Sequence, residues 1–266
     1  MNDIRTIIAK EWVDVRQNKM VAYVILFVPL LMTAIPIVLL YIFRIAPISA
    51  SDIEEMSSLL ANPIFAGMDA REAMQSVFAT NMMLLFLIMP LMVPVTIASY
   101  SIVGEKMTRS LEPLLATPIT TTNLLLGKSL AAAIPGIAAT WLCYLIFILA
   151  ARLPATGAVS DRVFGVFIAP MWIVALLVLA PLLTVLAVSI GIIVSSRVND
   201  PRAAEQLGSL VILPFMALFL GTLSGIILLN TTTFWITSAL IALLDIGLVY
   251  VGVKLFQRET ILTRWK

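Results

Sequence analysis

The stretch FGVFIAPMWIVALLVLAPLLTVLAVSIGIIV, residues 164–194, contains no charged side chain. A helix rises about 1.5 Å per residue and the hydrocarbon layer is about 30 Å thick, so about 20 apolar residues cross a bilayer. This run exceeds that length, and Pro170 and Pro181 predict a kink or tilt within it. Five similar runs accompany it, at residues 20–43, 78–103, 129–150, 207–229 and 234–253. Several carry proline (Pro29, Pro36, Pro90, Pro94, Pro135, Pro214). Spanning helices tolerate this when neighbouring helices satisfy the freed carbonyls. The expected fold is all-α, a single polytopic membrane domain over 1–266 with six transmembrane helices.

Composition agrees. Of 266 residues, 61% are hydrophobic and 12% charged, and the mean hydropathy is +1.06. Soluble domains hold about 45–50% apolar and about 25% charged residues. The lipid bilayer is therefore the expected solvent. A net charge of +2 without a long basic run excludes nucleic acid as a partner. Histidine is absent and Cys143 is the only cysteine. That excludes structural zinc, His-dependent metalloprotease and Ser-His-Asp chemistry, and intramolecular disulfides.

Basic residues orient the spans. With the N-terminus in the cytoplasm, 13 of the 17 Lys and Arg lie on the inner side and four (Arg44, Arg71, Arg152, Arg162) on the outer. Both termini are then cytoplasmic. The first run follows a charged lead and lacks a small-residue cleavage pattern, so it reads as a permanent span rather than a signal peptide.

Residues 1–19 read as an interfacial helix. Ile4, Ile7, Ile8, Trp12 and Val15 recur at helical spacing, with Arg5, Lys10, Asp14 and Arg16 largely off that stripe. It is either a membrane-surface anchor or also a contact for a cytoplasmic partner. In the outer segment 44–77, Ser51–Glu54 and Asp69–Glu72 fit the capping-box spacing and predict two short helices. Asn230-Thr231-Thr232 is a glycosylation sequon too close to the membrane for use.

Two inner loops carry the distinctive residues. In the first, Leu111, Leu114 and Leu115 give a short helix with one apolar face, Ser110 as cap, and Thr117-Pro118 as its stop. Its charges are Glu105, Lys106, Arg109 and Glu112. It either docks a cytoplasmic protein or lies flat in the interface. Thr120 to Asn123 offer caps for the third span. In the second loop, SSRVNDPRAAEQ, Asp200 caps a helix with Pro201 at its first position, and that helix runs into the fifth span. A plain helix start does not single out Arg197, Arg202 or Glu205.

Gly127-Lys128-Ser129 mimics the end of a phosphate-binding loop, but position 122 is threonine and no strand precedes it. Lys128 reads as a marker of the third span's inner end. Gly221 and Gly225 form a GxxxG, which suits close helix packing within one subunit or between two. Asp245 is the one charge deep inside a span. It is expected to be protonated, hydrogen-bonded to a hydroxyl, or facing water.

GEKMTRSLEPLLATPI at 104–119 resembles the first cytoplasmic loop of ABC type-2 exporter permeases, where a GE…LE.LL.TP pattern is typical. SSRVNDPRAAEQ at 195–206 resembles their loop before the fifth span. The resemblance is nearest to sodium- or drug-export permeases of bacteria and archaea, which implies the prokaryotic cell membrane. It implies a subunit without its own ATP site, paired with a second copy or close paralogue and with cytoplasmic ABC ATPase subunits that bind ATP and Mg. The loop at 104–118 would be the coupling helix, with Glu105, Arg109, Leu111, Glu112, Leu114 and Leu115 as contacts. The N-terminal helix would brace the same assembly. Spans 1 and 5 would form the dimer, near Gly221 and Gly225. The substrate, an ion, drug or lipid, is not specified. The alternatives are a non-transporting scaffold or assembly factor, and an intramembrane enzyme, which would need a facing nucleophile and base.

Overall fold

The computed structural model describes residues 2–45, 67–108, 119–153, 159–223 and 229–255. Among them all regular structure is helical. Helix α1 (Asn2–Gln17) precedes α2 (Lys19–Ile45), which is span 1. Span 2 is α3 (Ala70–Phe86) followed by α4 (Met89–Met107). Span 3 is α5 (Thr121–Arg152). Span 4 runs through α6 (Asp161–Phe167), α7 (Pro170–Val174), a π-helical turn (Ala175–Leu179) and α8 (Ala180–Arg197). Span 5 is α9 (Pro201–Ser209), a 3-10 turn (Leu210–Ile212) and α10 (Leu213–Leu223). Span 6 is α11 (Thr231–Leu255). Among the described residues, six helical segments are thus long and apolar enough to cross a membrane.

The breaks fall at prolines. Span 2 turns tightly at Leu87 and Ile88, directly before Met89-Pro90. Pro90 offers no N–H, and its ring clashes with the carbonyl four residues back. The expected kink in span 4 is a double break, before Pro170 and at the turn preceding Pro181. Span 3 satisfies both freed sites. The Tyr144 hydroxyl donates to the Phe167 carbonyl at 2.8 Å, and the Trp141 indole N–H to the Leu176 carbonyl at 2.8 Å. In lipid no water could do this.

Two boundaries differ from hydropathy. Asp69 and Glu72 do form a capping box, but the helix they start is not a separate outer helix. It continues into span 2, which therefore begins at Ala70 rather than near residue 78. Ala73, Ser76 and Ala79 face inward from this first part, so small and polar residues are buried there and an apolarity scale underweights them. The other expected outer helix, at Ser51–Glu54, lies outside the described residues. Span 3 likewise starts early, at Thr121, where the Thr120 hydroxyl accepts the Asn123 N–H at 3.2 Å.

Span 2 is the most buried span and span 5 the most exposed. Helix α4 is the hub, packing against α5, α8 and α9. Three glycines permit this. A Cβ on Gly136 would lie 2.5 Å from the Pro94 ring, one on Gly191 3.0 Å from the Ala98 methyl, and one on Gly208 2.8 Å from a Val95 methyl. None of them belongs to the expected GxxxG. Gly221 lies in α10, and Gly225 is outside the described residues.

At the end away from α1, arginines tie the helices together. Arg162 donates to the Gly67 carbonyl, Arg152 pairs with Asp161 at 2.7 Å, and Arg71 reaches the Phe43 carbonyl at 3.3 Å.

Candidate functional site

The chemistry concentrates at the end where α1 lies, beside the start of the first inner loop. Helix α1 packs chiefly on α5. Ile7 is buried against Gly127, where a Cβ would stand 2.7 Å from an Ile7 methyl, and the Trp12 indole N–H donates to the Ala131 carbonyl at 3.1 Å. The centre of the buried face is Glu11, 2% exposed and in line with Ile4, Ile7, Ile8 and Val15. An anchor lying on lipid would not put a carboxylate there.

Glu11 belongs to a ring of four charges. Lys128 Nζ lies 2.7 Å from Glu11 Oε1 and 2.9 Å from Glu105 Oε1. Lys10 Nζ also reaches Glu105 Oε1, and lies 3.3 Å from Glu11. Ser101 takes a further hydrogen bond from Lys128 at 2.8 Å, and Asp14 pairs with Lys10 at 3.2 Å on the outside. Glu11, Glu105 and Lys128 are buried, and Lys10 is about half exposed. Burial pushes the Glu11 carboxyl up, but the Lys128 charge and hydrogen bond outweigh it and hold it below the ordinary glutamate value. Burial also pulls the Lys10 ammonium down. Its hydrogen bond to Glu105 and the Glu11 charge reverse this and raise it above the ordinary lysine value.

Two of the expected residues meet here. Lys128, read as the inner end of span 3, is also a buried ion-pair donor, 4% exposed. The Glu105 side chain, expected as a partner contact, is buried within this chain. It turns inward, because two lysines from α1 and α5 meet it there. Of the remaining coupling candidates, Arg109, Leu111, Glu112, Leu114 and Leu115 lie outside the described residues. The signal for Glu11 in the sequence is a charge in register with the apolar stripe of its helix.

The neighbouring Lys106 grips span 4 instead. Its Nζ donates to the carbonyls of Ser195, Ser196 and Val198 at 2.7, 2.9 and 3.2 Å. A cation at a helix C-terminus satisfies carbonyls with no partner in the helix. In the second loop, Arg197 ends α8 and Asp200 caps α9, accepting the Ala203 N–H at 3.2 Å, with Pro201 at its first turn. Glu205 accepts from the Thr96 hydroxyl at 2.8 Å, joining span 5 to span 2. Higher up, Thr222 donates to Asn81 at 2.9 Å across the same pair of spans. Arg202 is exposed.

Asp245 is 5% exposed, and neither carboxylate oxygen has a hydrogen-bond partner among the described residues. Of the three expected states, a hydroxyl partner is absent among the described residues and the side chain is buried in this chain. Its stripe on α11 (Phe234, Ser238, Ile241, Asp245) is buried, so helical register places the carboxyl group inside.

These features define a polytopic α-helical integral membrane protein whose charged joint sits at one end of the spans. The chain belongs to the ABC-2 transporter family: a family model described as ABC-2 family transporter protein matches residues 5–256. It is a permease subunit of an ABC transporter, and membrane subunits of this family work with ATPase partners. A search of curated proteins gave no match.

Proposed function

We propose that this permease is the membrane half of an ATP-driven exporter, switching between inward- and outward-facing states while a separate subunit binds ATP and Mg. The observation that carries the reading is the grip on residues 105 and 106, immediately ahead of the 109–118 loop. A loop rooted in a rigid joint can act as a lever. ATP drives the switch only if the closed ATPase pair binds the outward state better. Arg109, Glu112 and the leucines 111, 114 and 115 would form the surface seated on the ATPase, with Arg197 and Arg202 on the neighbouring loop. The distribution of basic residues supports α1 and both termini on the cytoplasmic side, and the resemblance to bacterial and archaeal permeases supports a prokaryotic cell membrane. The exposure of spans 1 and 5 suits a second copy or paralogue there, with Gly221 and Gly225 at or near the contact.

The test is a pull-down of the tagged permease in mild detergent. A stoichiometric soluble ATPase is expected with the native chain and not with Glu112→Lys combined with Leu115→Asp. No ATPase with a folded native chain would turn the reading to a membrane scaffold. An ATPase that survives the double substitution would remove the coupling surface from 109–118.

A further inference from the structure

The ring Lys10–Glu11–Lys128–Glu105 closes on itself through three elements, α1, α4 and α5. Each lysine touches both glutamates. Withdrawing α4 would leave two lysines against one glutamate, and withdrawing α5 two glutamates against one lysine, each a buried charge imbalance that is strongly unfavourable. Pulling α4 or α5 away therefore costs the loss of a buried partner as well as the apolar contacts. The seam is reinforced on both sides, by Ile7 against Gly127 and by the Trp12 indole on the Ala131 carbonyl.

We infer that this ring fuses α1, the end of span 2 and the start of span 3 into one rigid body, with Glu105 and Lys128 as positioning residues that carry any displacement of the 109–118 loop into span 3 and α1 together. The inference rests on the coupling reading of that loop. Glu105 lies four residues ahead of it, and Lys128 lies within the first turns of α5 on its other side. The Glu105–Lys128 pair, 2.9 Å apart, thus ties together the described chain on the two sides of residues 109–118. A pull on the loop acts on both ends of one clamp. Helix α1 then rides with the lever instead of lying passively on lipid, which accounts for a carboxylate at the centre of its buried face.

The test uses the full chain with its copurifying ATPase in phosphatidylethanolamine–phosphatidylglycerol nanodiscs. Hydrogen exchange at the far ends of the spans, in segments 67–72 and 159–167, is read with and without ATP plus vanadate. In a Cys143→Ala parent, nucleotide is expected to shift exchange there. Lys128→Gln is expected to abolish the shift while the ATPase stays bound. A second variant, Ile7→Cys with Gly127→Cys, locks α1 to span 3. The Cβ atoms would start 2.9 Å apart, so the helices need to open by about 1 Å to reach the usual disulfide spacing of about 3.8 Å. The oxidised lock is expected to leave the shift intact, and to restore it in Lys128→Gln until reductant is added. If Lys128→Gln does not fold, the lock in the Lys128 chain decides by itself. A lock that blocks the shift, or a folded Lys128→Gln that shifts like the parent, overturns the inference alone. A parent with bound ATPase and no shift overturns the coupling reading, and the inference with it.

Discussion

Glu105 and Lys106 are consecutive in the chain and hold different helices: Glu105 Oε1 meets Lys128 Nζ of span 3 at 2.9 Å, while Lys106 Nζ meets the Ser195 carbonyl of span 4 at 2.7 Å. Consecutive residues on a helix point about 100° apart, so one turn of α4 can serve two neighbours. The segment that leads into the loop is thereby held from two sides.

Removing the Lys106 grip should loosen the end of span 4. Lys106→Met is expected to raise hydrogen exchange at residues 195–198 and to lower stability by about 1–2 kcal/mol, the scale of a cation at a helix C-terminus with its hydrogen bonds. Exchange unchanged at that site would mean the three carbonyls are satisfied without it.

The ring should behave as a coupled unit. Lys128→Ala leaves two buried carboxylates short of a partner and is expected to cost about 3–5 kcal/mol. The Glu11→Gln and Lys128→Gln pair should be non-additive by about 0.5–3 kcal/mol in a double-mutant cycle of chemical unfolding. Additive values would mean that the two side chains do not interact.

Glycines with and without a neighbour should respond oppositely to alanine. At Gly136 the new methyl would meet the stiff Pro94 ring at 2.5 Å, so Gly136→Ala is expected to destabilise by about 1–3 kcal/mol. At Gly247, inside α11 with nothing within 4 Å, the helix gains from alanine, and stability should hold or rise by up to about 1 kcal/mol. Thermal unfolding of the two variants separates these signs.

Docking of α1 should fail on the acid side. The Glu11 value is lowered from 4.5 in the folded state, so its contribution is full above that value and is lost as pH falls through the lower folded value. The Lys10 value is raised from 10.5, so its contribution is full below that and is lost only as pH rises through the higher folded value. Exchange protection of residues 2–17 is expected to be flat across neutral pH and to fall below about pH 4.5. A transition between pH 6 and 8 would contradict the pairing.

Asp245 carries a buried carboxylate with no partner among the described residues. Asp245→Leu replaces this unpartnered polar group by an apolar one of similar size, and it is expected to raise thermal stability by about 1–3 kcal/mol. A loss of stability would show that the carboxylate has a favourable contact.

The first inner loop is legible as a motif in the sequence alone, yet the direction in which Glu105 points is not. Its type and spacing suit an exposed contact, and nothing local reveals that lysines at positions 10 and 128 converge on it. Gly221 and Gly225 are conspicuous because their spacing repeats. Gly136, Gly191 and Gly208 are not, because each is needed by a single side chain or backbone on another helix. The Asp69–Glu72 box is legible as a cap. A cap marks only where a helix begins, so the length of this one depends on polar side chains turning inward.

The amino-acid sequence by itself determined the solvent, the six spans, the helix caps at Asp69, Thr120 and Asp200, and the family. Each of these depends on local apolarity, on hydrogen bonds between residues three apart, or on a contiguous motif. Only the tertiary structure decided that Glu11, Glu105 and Lys128 form one buried joint, that Lys106 closes the end of span 4, and that Val95 sits against two glycines. Most of those contacts join residues about 90 to 120 positions apart, and whether a charge there is solvated or paired depends on which helix arrives beside it.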